Sequence, residues 1–260
     1  MREFDKYYYY QNAVQSPEND AEFLESTYKE IRGFLPKVMR EDFCAAFALC
    51  CEWVKRKPQY EAFGLDIDPE PIQYGKKNYL TQLNSEHQSR VHIMESDVLG
   101  NDLPPADIIA ALNFSYFCFK ERKLLLQYFK ACHRSLNDNG LLIMDCFGGP
   151  SCMEPNVSET EYDDFSYFWD QDTYNPINHH AMFYIHFKRK GEKLRNKVFT
   201  YDWRLWSLAE LKDLADEAGF SKVHFYWEGT DKHGEGDGIF TRTTEGEICD
   251  AWVAYLIAEK

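Results

Sequence analysis

The sequence predicts an α/β protein: a doubly wound, seven-stranded and mostly parallel sheet, with a mainly β insertion after the fifth strand. Three observations predict this fold. Five apolar stretches alternate with amphipathic helical stretches between residues 36 and 147. The fourth and fifth of these stretches are almost continuously apolar, which is typical of parallel strands covered on both faces. Residues 207–260 then supply one more helix and two more strands.

The elements up to the second strand are marked by caps and turns. The first clear helix begins at SPENDAEF, where Ser16 can cap it and Pro17 suits the first helical position. The first strand, LPKVMRE, leads into a helix over residues 43–56. The second strand, YEAFGLDI, ends just before Asp68, which is placed to cap a helix that begins at Pro69.

The next elements complete the parallel part of the sheet. The third strand is RVHIMESD, the fourth is ADIIAALNF, and the fifth is LLIMDCF, which follows the turn DNG. The stretch between the fourth and fifth strands is helical, with Leu125, Phe129, Cys132 and Leu136 on one side. Strands that alternate with helices in this way predict parallel pairing through right-handed crossovers.

The pattern divides the chain into four segments. Residues 1–35 are a helical segment, 36–150 are the core, 151–206 are the insertion, and 207–260 complete the core sheet. Within the insertion, residues up to 180 are acidic, aromatic and irregular, and an antiparallel hairpin follows them.

The last segment opens with a helix that has clear end signals. Ser207 and Glu210 form a capping box, and Gly219 is a C-terminal stop. Two strands follow it, and their connection over 229–249 is rich in Gly and Thr. These strands are therefore expected to be antiparallel neighbours.

Charge and cysteine usage restrict the partners and the compartment. The formal net charge of −14 opposes binding to nucleic acid and to an anionic membrane surface. The eight cysteines form no C-x-x-C motif and most of them lie in apolar runs, which indicates reduced thiols in a cytoplasmic protein. No signal core or membrane-length apolar run is visible. A metal site is not expected, because His179, His180 and His186 have no acidic or Cys partner at ligand spacing.

Several candidate ligand-binding residues lie where parallel strands end, which is where open α/β sheets bind their ligands. Asp66 ends the second strand, about twenty residues after the helix start near 43, so its carboxylate can accept hydrogen bonds from two ribose hydroxyls. Asp97 and Val98 follow the third strand, where they can hold an adenine. Asn113 and Phe114 close the fourth strand, nearest to the expected reaction centre. We therefore predict an adenosine-containing ligand at this edge.

These residues also carry a resemblance. The order EDFCAAF, GLDIDPE, ESDVLGNDLP, ADIIAALNFSYF and LNDNGLLIMD resembles class I S-adenosylmethionine-dependent methyltransferases, over roughly residues 37–147. That family's first motif is an acid followed by three alternating glycines. Here Glu41 takes the acid position, and Phe43, Ala45 and Phe47 stand at the glycine positions. The loop is most similar to a bacterial lineage of the family that reads Glu-Asp-Phe-Cys-Gly-Thr, with alanines in place of Gly-Thr.

The resemblance implies a Rossmann-like methyltransferase fold, S-adenosyl-L-methionine as the cofactor and a role for each of these residues. Glu41 or Asp42 would contact the methionine amino group, and Phe43, Cys44 and Ala45 would line the methionyl and ribose part. The remaining cofactor contacts would come from the strand ends and from the N-terminal lid: Tyr10, Gln15, Asp66, Ile67, Asp97, Val98, Asn113 and Phe114.

The acceptor site is expected in the insertion, because insertions at this place cover the active site in similar methyltransferases. The small-molecule acceptor would contact Tyr116, Trp203 and Arg204. The arginine can hold a carboxylate bidentately, and aromatic faces can hold a cation. The sequence leaves open the acceptor, the methylated atom and the oligomeric state.

The conformation of the loop and two alternative functions remain open at this point. A left-handed backbone at Ala45 would cost on the order of 1 kcal/mol, whereas with a negative φ its methyl matters only where the cofactor approaches closely. The missing glycines motivate a second hypothesis, a non-catalytic protein that binds S-adenosylmethionine or S-adenosylhomocysteine. A nicotinamide-dependent oxidoreductase ranks third, because a pyrophosphate needs a bare glycine backbone.

Two further residues have two interpretations each. Cys44 lies at a helix N-terminus, which lowers a thiol pKa, but with no His partner it is expected to be a packing residue. Asp145 ends the fifth strand, where it either faces the cleft or is a satisfied structural acid.

Overall fold

The computed structural model describes residues 3–232 and 235–260. Its helices are α1 Lys6–Val14, α2 Pro17–Arg32, α3 Ala48–Arg56, α4 Pro69–Asn78, α5 Ser85–Gln88, α6 Arg122–Ser135 and α7 Leu208–Ala218. Its first six strands are β1 Val38–Asp42, β2 Glu61–Asp66, β3 Val91–Glu95, β4 Ala106–Ala111, β5 Leu136–Gly148 and β6 Asn156–Glu161. The remaining strands are β7 Phe165–Asn175, β8 His180–Arg189, β9 Arg195–Arg204, β10 Lys222–Thr230, β11 Gly236–Thr243 and β12 Trp252–Glu259.

The central sheet has the order β11-β10-β12-β5-β4-β1-β2-β3. The pairs among β1 to β5 are parallel, and β12, β10 and β11 add an antiparallel edge next to β5. The predicted doubly wound, mostly parallel sheet is confirmed. It has eight strands instead of the expected seven, because residues 236–243 pair with β10 rather than forming a loop. Phe240 anchors this extra strand against Phe23 and Tyr255.

The insertion is a separate antiparallel sheet with the order β6-β7-β8-β9. Its first two strands occupy 156–161 and 165–175, inside the segment that we expected to be irregular. This segment is extended because β7 pairs on both sides, Trp169 with Ser158 of β6 and with Ile185 of β8.

Alternating residues of the central sheet build two core layers. Ile108 and Ile143 belong to the layer that contains α2 and α3, and Ile109 and Leu142 belong to the layer that contains α6 and α7. Among the described residues no helix is long and apolar enough to cross a membrane.

Local signals set several helix boundaries. Ser207 and Glu210 form the predicted capping box of α7, and Asp68 caps α4 by accepting from the N–H of Glu70 at 2.9 Å. Ser16 occupies the N-cap position of α2 but makes no capping side-chain hydrogen bond. The predicted helix over 43–56 begins only at Ala48, because the preceding residues form an irregular loop.

Helix α1 connects the insertion to the core. Its Tyr9 packs on Phe165 of β7, with ring centroids 4.9 Å apart, and its Tyr7 packs on Tyr74 of α4 at 4.7 Å. The Nζ atom of Lys6 lies 2.6 Å from Oε1 of Glu70, which is also on α4. The N-terminal helix therefore spans the edge of the sheet where the parallel strands end.

A buried ion pair fixes the end of β1. The Asp42 carboxylate accepts from Nε of Arg40 at 2.8 Å and from the Tyr128 hydroxyl at 2.9 Å, and both charged side chains are fully buried. The Arg40 guanidinium also donates to the carbonyl of Pro104 and to the Ser135 hydroxyl. This network ties β1 to α6 and satisfies two charges that are costly to bury alone.

We predict that Asp42→Ala lowers the free energy of unfolding by about 3–5 kcal/mol, because it leaves the Arg40 guanidinium buried without a counter-charge. Urea unfolding followed by circular dichroism measures the change. The control is Asp216→Ala, which breaks the exposed pair between Asp216 and Lys212 and should change stability by only about 0.5 kcal/mol. Equal effects of the two substitutions would contradict a structural role for the buried pair.

Candidate functional site

The loop after β1 has an alternating left-handed backbone. Phe43, Ala45 and Phe47 have φ values of 61°, 45° and 51°, a region that non-glycine residues enter at a cost of roughly 1–2 kcal/mol each. The sequence analysis left the sign of φ at residue 45 open, and the structure gives a positive value. These are the three positions that the resemblance described above aligns with glycines, and here a left-handed backbone is present without the residue that usually permits it.

Packing and hydrogen bonds hold this strained loop. Phe47 is fully buried and fits against Gly75 of α4, where an added Cβ would lie 2.5 Å from the Phe47 ring. Phe43 packs between Phe119 and Tyr128, with centroid distances of 5.7 Å and 5.6 Å. The side chains that replace the glycines therefore anchor the loop to both core layers.

Asp66, at the end of β2, supports the same loop. Its Oδ2 accepts from the N–H of Ala45 at 2.8 Å, and its Oδ1 accepts from the N–H of Asp68 at 2.9 Å. Burial raises the pKa of this carboxyl group, and the two N–H bonds oppose the shift. Asp66 is thus oriented by the backbone and also faces a cavity.

That cavity has a volume of about 290 Å³ and lies at the carboxyl ends of β1, β2 and β4, beneath α1. Its size is close to the lower end of the range for ligand pockets, about 300–1,000 Å³. It brings together six residues that the sequence analysis predicted: Tyr10, Gln15, Phe43, Ala45, Asp66 and Asn113. Its other walls include Lys6, Tyr7, Ala46, Asp68, Tyr79, Ser115, Phe199 and Tyr201. We call it the small cavity.

The small cavity is acidic and aromatic. Among its described lining residues Lys6 is the single cation, and Lys6 is paired with Glu70. Tyr10 shares a hydrogen bond with Tyr201, and burial raises the pKa of Tyr10 to about 12, so its hydroxyl stays neutral. Carboxylates and neutral aromatic faces favour a cationic ligand over a phosphate.

Two buried acids support the residues that surround this cavity. Burial raises the pKa of Glu41 to about 8, and the thiol of Cys50 lies 3.1 Å from its Oε2. Burial raises the pKa of Asp145 to about 7, although the carboxylate accepts from the N–H groups of Asn113 and Phe114 at 2.7 Å and 2.9 Å. Those two residues have φ values of 55° and 56°, so Asp145 fixes a second left-handed turn. Of the two interpretations of Asp145, the structure supports the satisfied structural acid and not the acid that faces the cleft.

Several predicted cofactor contacts do not line the small cavity. The Asp42 prediction is corrected, because its carboxylate belongs to the buried pair with Arg40 on the α6 side of the sheet. Cys44 is buried, and burial raises its pKa well above the ordinary value, as expected of a packing residue. Val98 lies in the core, and the Asp97 side chain accepts from the N–H of Leu99.

The residue after Asp66 has a different environment. Ile67 is 70% exposed, although isoleucine is among the residues most often buried. Cys118 is exposed as well. Ile67 therefore presents an apolar surface next to Asp66.

The predicted acceptor residues are corrected as well. Tyr116 is fully buried and donates its hydroxyl to the carbonyl of Asp145. Trp203 is 5% exposed and packs in the core against Tyr201 at 4.4 Å. Arg204 stacks on Trp206 and pairs with Glu210 at 3.0 Å, so it is not directed at a ligand.

A second cavity, of about 770 Å³, opens where β5 ends. We call it the large cavity. Its walls include Phe114, Trp169, Gln171, Trp227, Glu228 and Trp252. The sequence analysis noted the aromatic stretch around Trp169, but it missed the β10 and β12 residues, because their meeting depends on long-range strand order.

No protein-family model matches this sequence, and no curated protein matches it. Solved structures do match it. A S-adenosylmethionine-dependent methyltransferase from Clostridium acetobutylicum ATCC 824 has a TM-score of 0.69 at 14% identity, covering 97% of this chain and 96% of that one. The amino pentose methyltransferase CalS10 from Micromonospora echinaspora, solved with bound S-adenosylmethionine, has a TM-score of 0.69 at 12% identity, covering 100% and 98%. DesVI from Streptomyces venezuelae has a TM-score of 0.67 at 13% identity, covering 99% of each chain.

At these identities the similarity establishes the fold. Along nearly its whole length the chain has the fold of S-adenosylmethionine-dependent methyltransferases of class I. The small cavity lies at the strand ends where that kind of sheet binds ligands.

We predict that Ala45→Gly raises the free energy of unfolding by up to about 1 kcal/mol, because glycine adopts φ of 45° without steric cost. The matched control is Ala46→Gly in the same loop, which should destabilise the protein by about 0.5–1 kcal/mol through the entropy of the unfolded chain. Urea denaturation of the two variants compares them. Destabilisation by both would show that residue 45 is not strained.

The raised pKa of Glu41 predicts a pH dependence of stability. The pKa of Glu41 in the folded state, about 8, lies above its ordinary value of 4.5, so the folded state holds this proton more tightly. Protonated Glu41 therefore contributes its full stabilisation of the folded state below about pH 4.5, and this stabilisation is lost as the pH rises through about 8. As the pH rises from 5 to 9, the free energy of unfolding of Glu41→Gln should therefore increase relative to that of wild type.

Chemical denaturation at several pH values measures this difference. Glu22→Gln, which changes an exposed glutamate on α2, is the control and should show a constant difference from wild type. A constant difference for Glu41→Gln as well would contradict the raised pKa.

Proposed function

We propose that this chain is an enzyme that transfers the methyl group of S-adenosyl-L-methionine to a small-molecule acceptor. The observation that carries the proposal is the small cavity, where the carboxylate of Asp66 meets aromatic walls and no unpaired cation among the described lining residues. S-adenosyl-L-methionine is a cation with a ribose and no phosphate, and these residues suit each of those properties.

The residues of the small cavity fit the cofactor in distinct ways. Asp66 would accept hydrogen bonds from the ribose hydroxyls, and the exposed Ile67 beside it would gain an apolar partner in the adenine. Asp97 would bind the adenine, whereas Val98 is buried in the core and would only support this site from behind. Tyr10 on α1 and Gln15 at its C-cap would cover the methionyl part.

Glu41 would act on the cofactor from behind the loop. Its carboxyl group is buried next to α3 and does not line the small cavity. In the charged state it would attract the α-ammonium group through the loop. The aromatic walls supplied by Phe43, Tyr10 and Tyr201 would stabilise the positive sulfonium.

The bound cofactor supplies an electrophilic methyl group, whose C–S bonding pair returns to sulfur as an acceptor lone pair forms the new bond. The chain's contribution is alignment and exclusion of water. Asp145 holds Asn113 and Phe114 in one conformation, and α1 closes the small cavity above them. Asp145 is a positioning residue, because both of its oxygens already accept backbone N–H groups.

A small acceptor agrees with the size and the charge of the protein. The proteins of similar fold include an amino pentose methyltransferase and a sugar N-methyltransferase from Streptoalloteichus. The net charge of −14 opposes a nucleic-acid acceptor.

The strained loop favours a second candidate, a non-catalytic protein that binds the same cofactor. Residues 43, 45 and 47 keep the left-handed conformation of a glycine loop, and two of them, Phe43 and Ala45, add side chains to the small cavity. Turnover of S-adenosyl-L-methionine with any acceptor separates the two candidates. An NAD-dependent activity has less support, because the small cavity offers no free cation for a pyrophosphate among the described residues.

We predict that Asp66→Ala weakens binding of S-adenosylhomocysteine by about 10–100-fold, as expected for the loss of hydrogen bonds to a charged group. Isothermal titration calorimetry measures the affinity, and circular dichroism confirms that the variant is folded. The control is Asp68→Asn, which removes a charge from the same cavity but keeps a helix cap, and it should change the affinity by less than about 3-fold. Unchanged affinity of a folded Asp66→Ala variant would refute the proposed ribose site.

A further inference from the structure

The large cavity and the small cavity meet at one turn. Asn113 and Ser115 line the small cavity, whereas Phe114 between them lines the large one. The turn is fixed by the two hydrogen bonds to Asp145. A group that reaches the turn from the large cavity therefore arrives at the wall of the small one.

Tryptophans from three strands line the large cavity. Trp169 comes from the insertion strand β7, Trp227 from β10 and Trp252 from β12. The rings of Trp227 and Trp252 are 5.1 Å apart with an interplanar angle of 33°. Each of the three is half-buried, so part of its ring faces the space. Tryptophan is the aromatic side chain that attracts cations most strongly.

The charges of the large cavity have one sign. Glu228 and Glu247 line it, and none of the lining residues within 3–232 and 235–260 is Lys, Arg or His. Glu228 accepts from the N–H of Gly238 at 3.1 Å, which holds its carboxylate in place. Arg204, which we first expected to hold a carboxylate of the acceptor, is engaged with Trp206 and Glu210 elsewhere. The cavity therefore repels anions and attracts cations.

We propose that the large cavity binds the methyl acceptor, and that this acceptor carries a protonated amine on an apolar or aromatic body. The amine lies against the tryptophan faces and near Glu228 and Glu247, and the body extends towards Phe114. That this ligand is the methyl acceptor rests on the proposed function, whereas its amine character follows from the large cavity alone.

The test uses three indole probes of similar shape and different charge. Tryptamine is a cation at pH 7, tryptophol is neutral and indole-3-acetate is an anion. Each is titrated by calorimetry into the full chain, with and without saturating S-adenosylhomocysteine. Tryptamine should bind at least about 10-fold more tightly than tryptophol, and indole-3-acetate should bind most weakly.

Three variants separate charge from shape. The double variant Glu228→Gln, Glu247→Gln should reduce the preference for tryptamine over tryptophol to within about 2-fold, with unchanged affinity for S-adenosylhomocysteine. Glu159→Gln removes the same kind of charge from an exposed position on β6 outside the cavity, and it should preserve the preference. Trp227→Leu should weaken tryptamine and tryptophol together.

The outcomes are distinguishable. The amine proposal would be overturned by equal affinity for the three probes, by tightest binding of indole-3-acetate or by binding of none. It would also be overturned if the preference for tryptamine survived in the double variant. Failure of S-adenosylhomocysteine to bind would overturn the proposed function instead, because the titrations without it still report on the large cavity.

Discussion

The bond from the Ala45 N–H to the Asp66 carboxylate is the constraint on which the site depends. It joins the end of β2 to the middle of a loop whose backbone is left-handed at alternate residues. Without glycine, that conformation persists only because its surroundings determine it. Phe47 and Phe43 supply this determination from opposite core layers, and Asp66 supplies it from the ligand side. The strain of the loop, its packing and the orientation of the Asp66 carboxylate therefore depend on one another.

Negative charge is the second property that unites the molecule. Acids line both cavities, and Glu41 and Asp145 lie behind the small one with pKa values raised by burial. Such a distribution suits a cationic ligand on each side of the Asn113–Ser115 turn. Protonation of Glu41 or Asp145 removes a charge that is costly to bury, so these two groups favour the folded state at low pH, where they no longer attract a cation.

Much of the fold could be predicted from the sequence, because apolar runs, caps and turn residues are local signals. The parallel core and Asp66 at the end of β2 follow from such signals. β7 was missed because its acids obscured the alternation of Phe165, Tyr167 and Trp169. Asp42 was misassigned because only the structure shows that its carboxylate points towards α6. The large cavity was not predictable, since its tryptophans lie on three strands whose proximity depends on the order of the sheets.

Helix α1 belongs to neither sheet, yet it touches both and forms one wall of the small cavity. Its attachment to the core consists of a few surface contacts, among them Lys6 with Glu70 and the Tyr74 hydroxyl with Asp5. Contacts of this kind are individually weak and can break without unfolding either sheet. Of the walls of the small cavity, α1 is thus the one that detaches at the lowest free-energy cost. If the small cavity holds the cofactor, as we propose, the rate at which α1 detaches sets an upper limit on the rate of cofactor exchange.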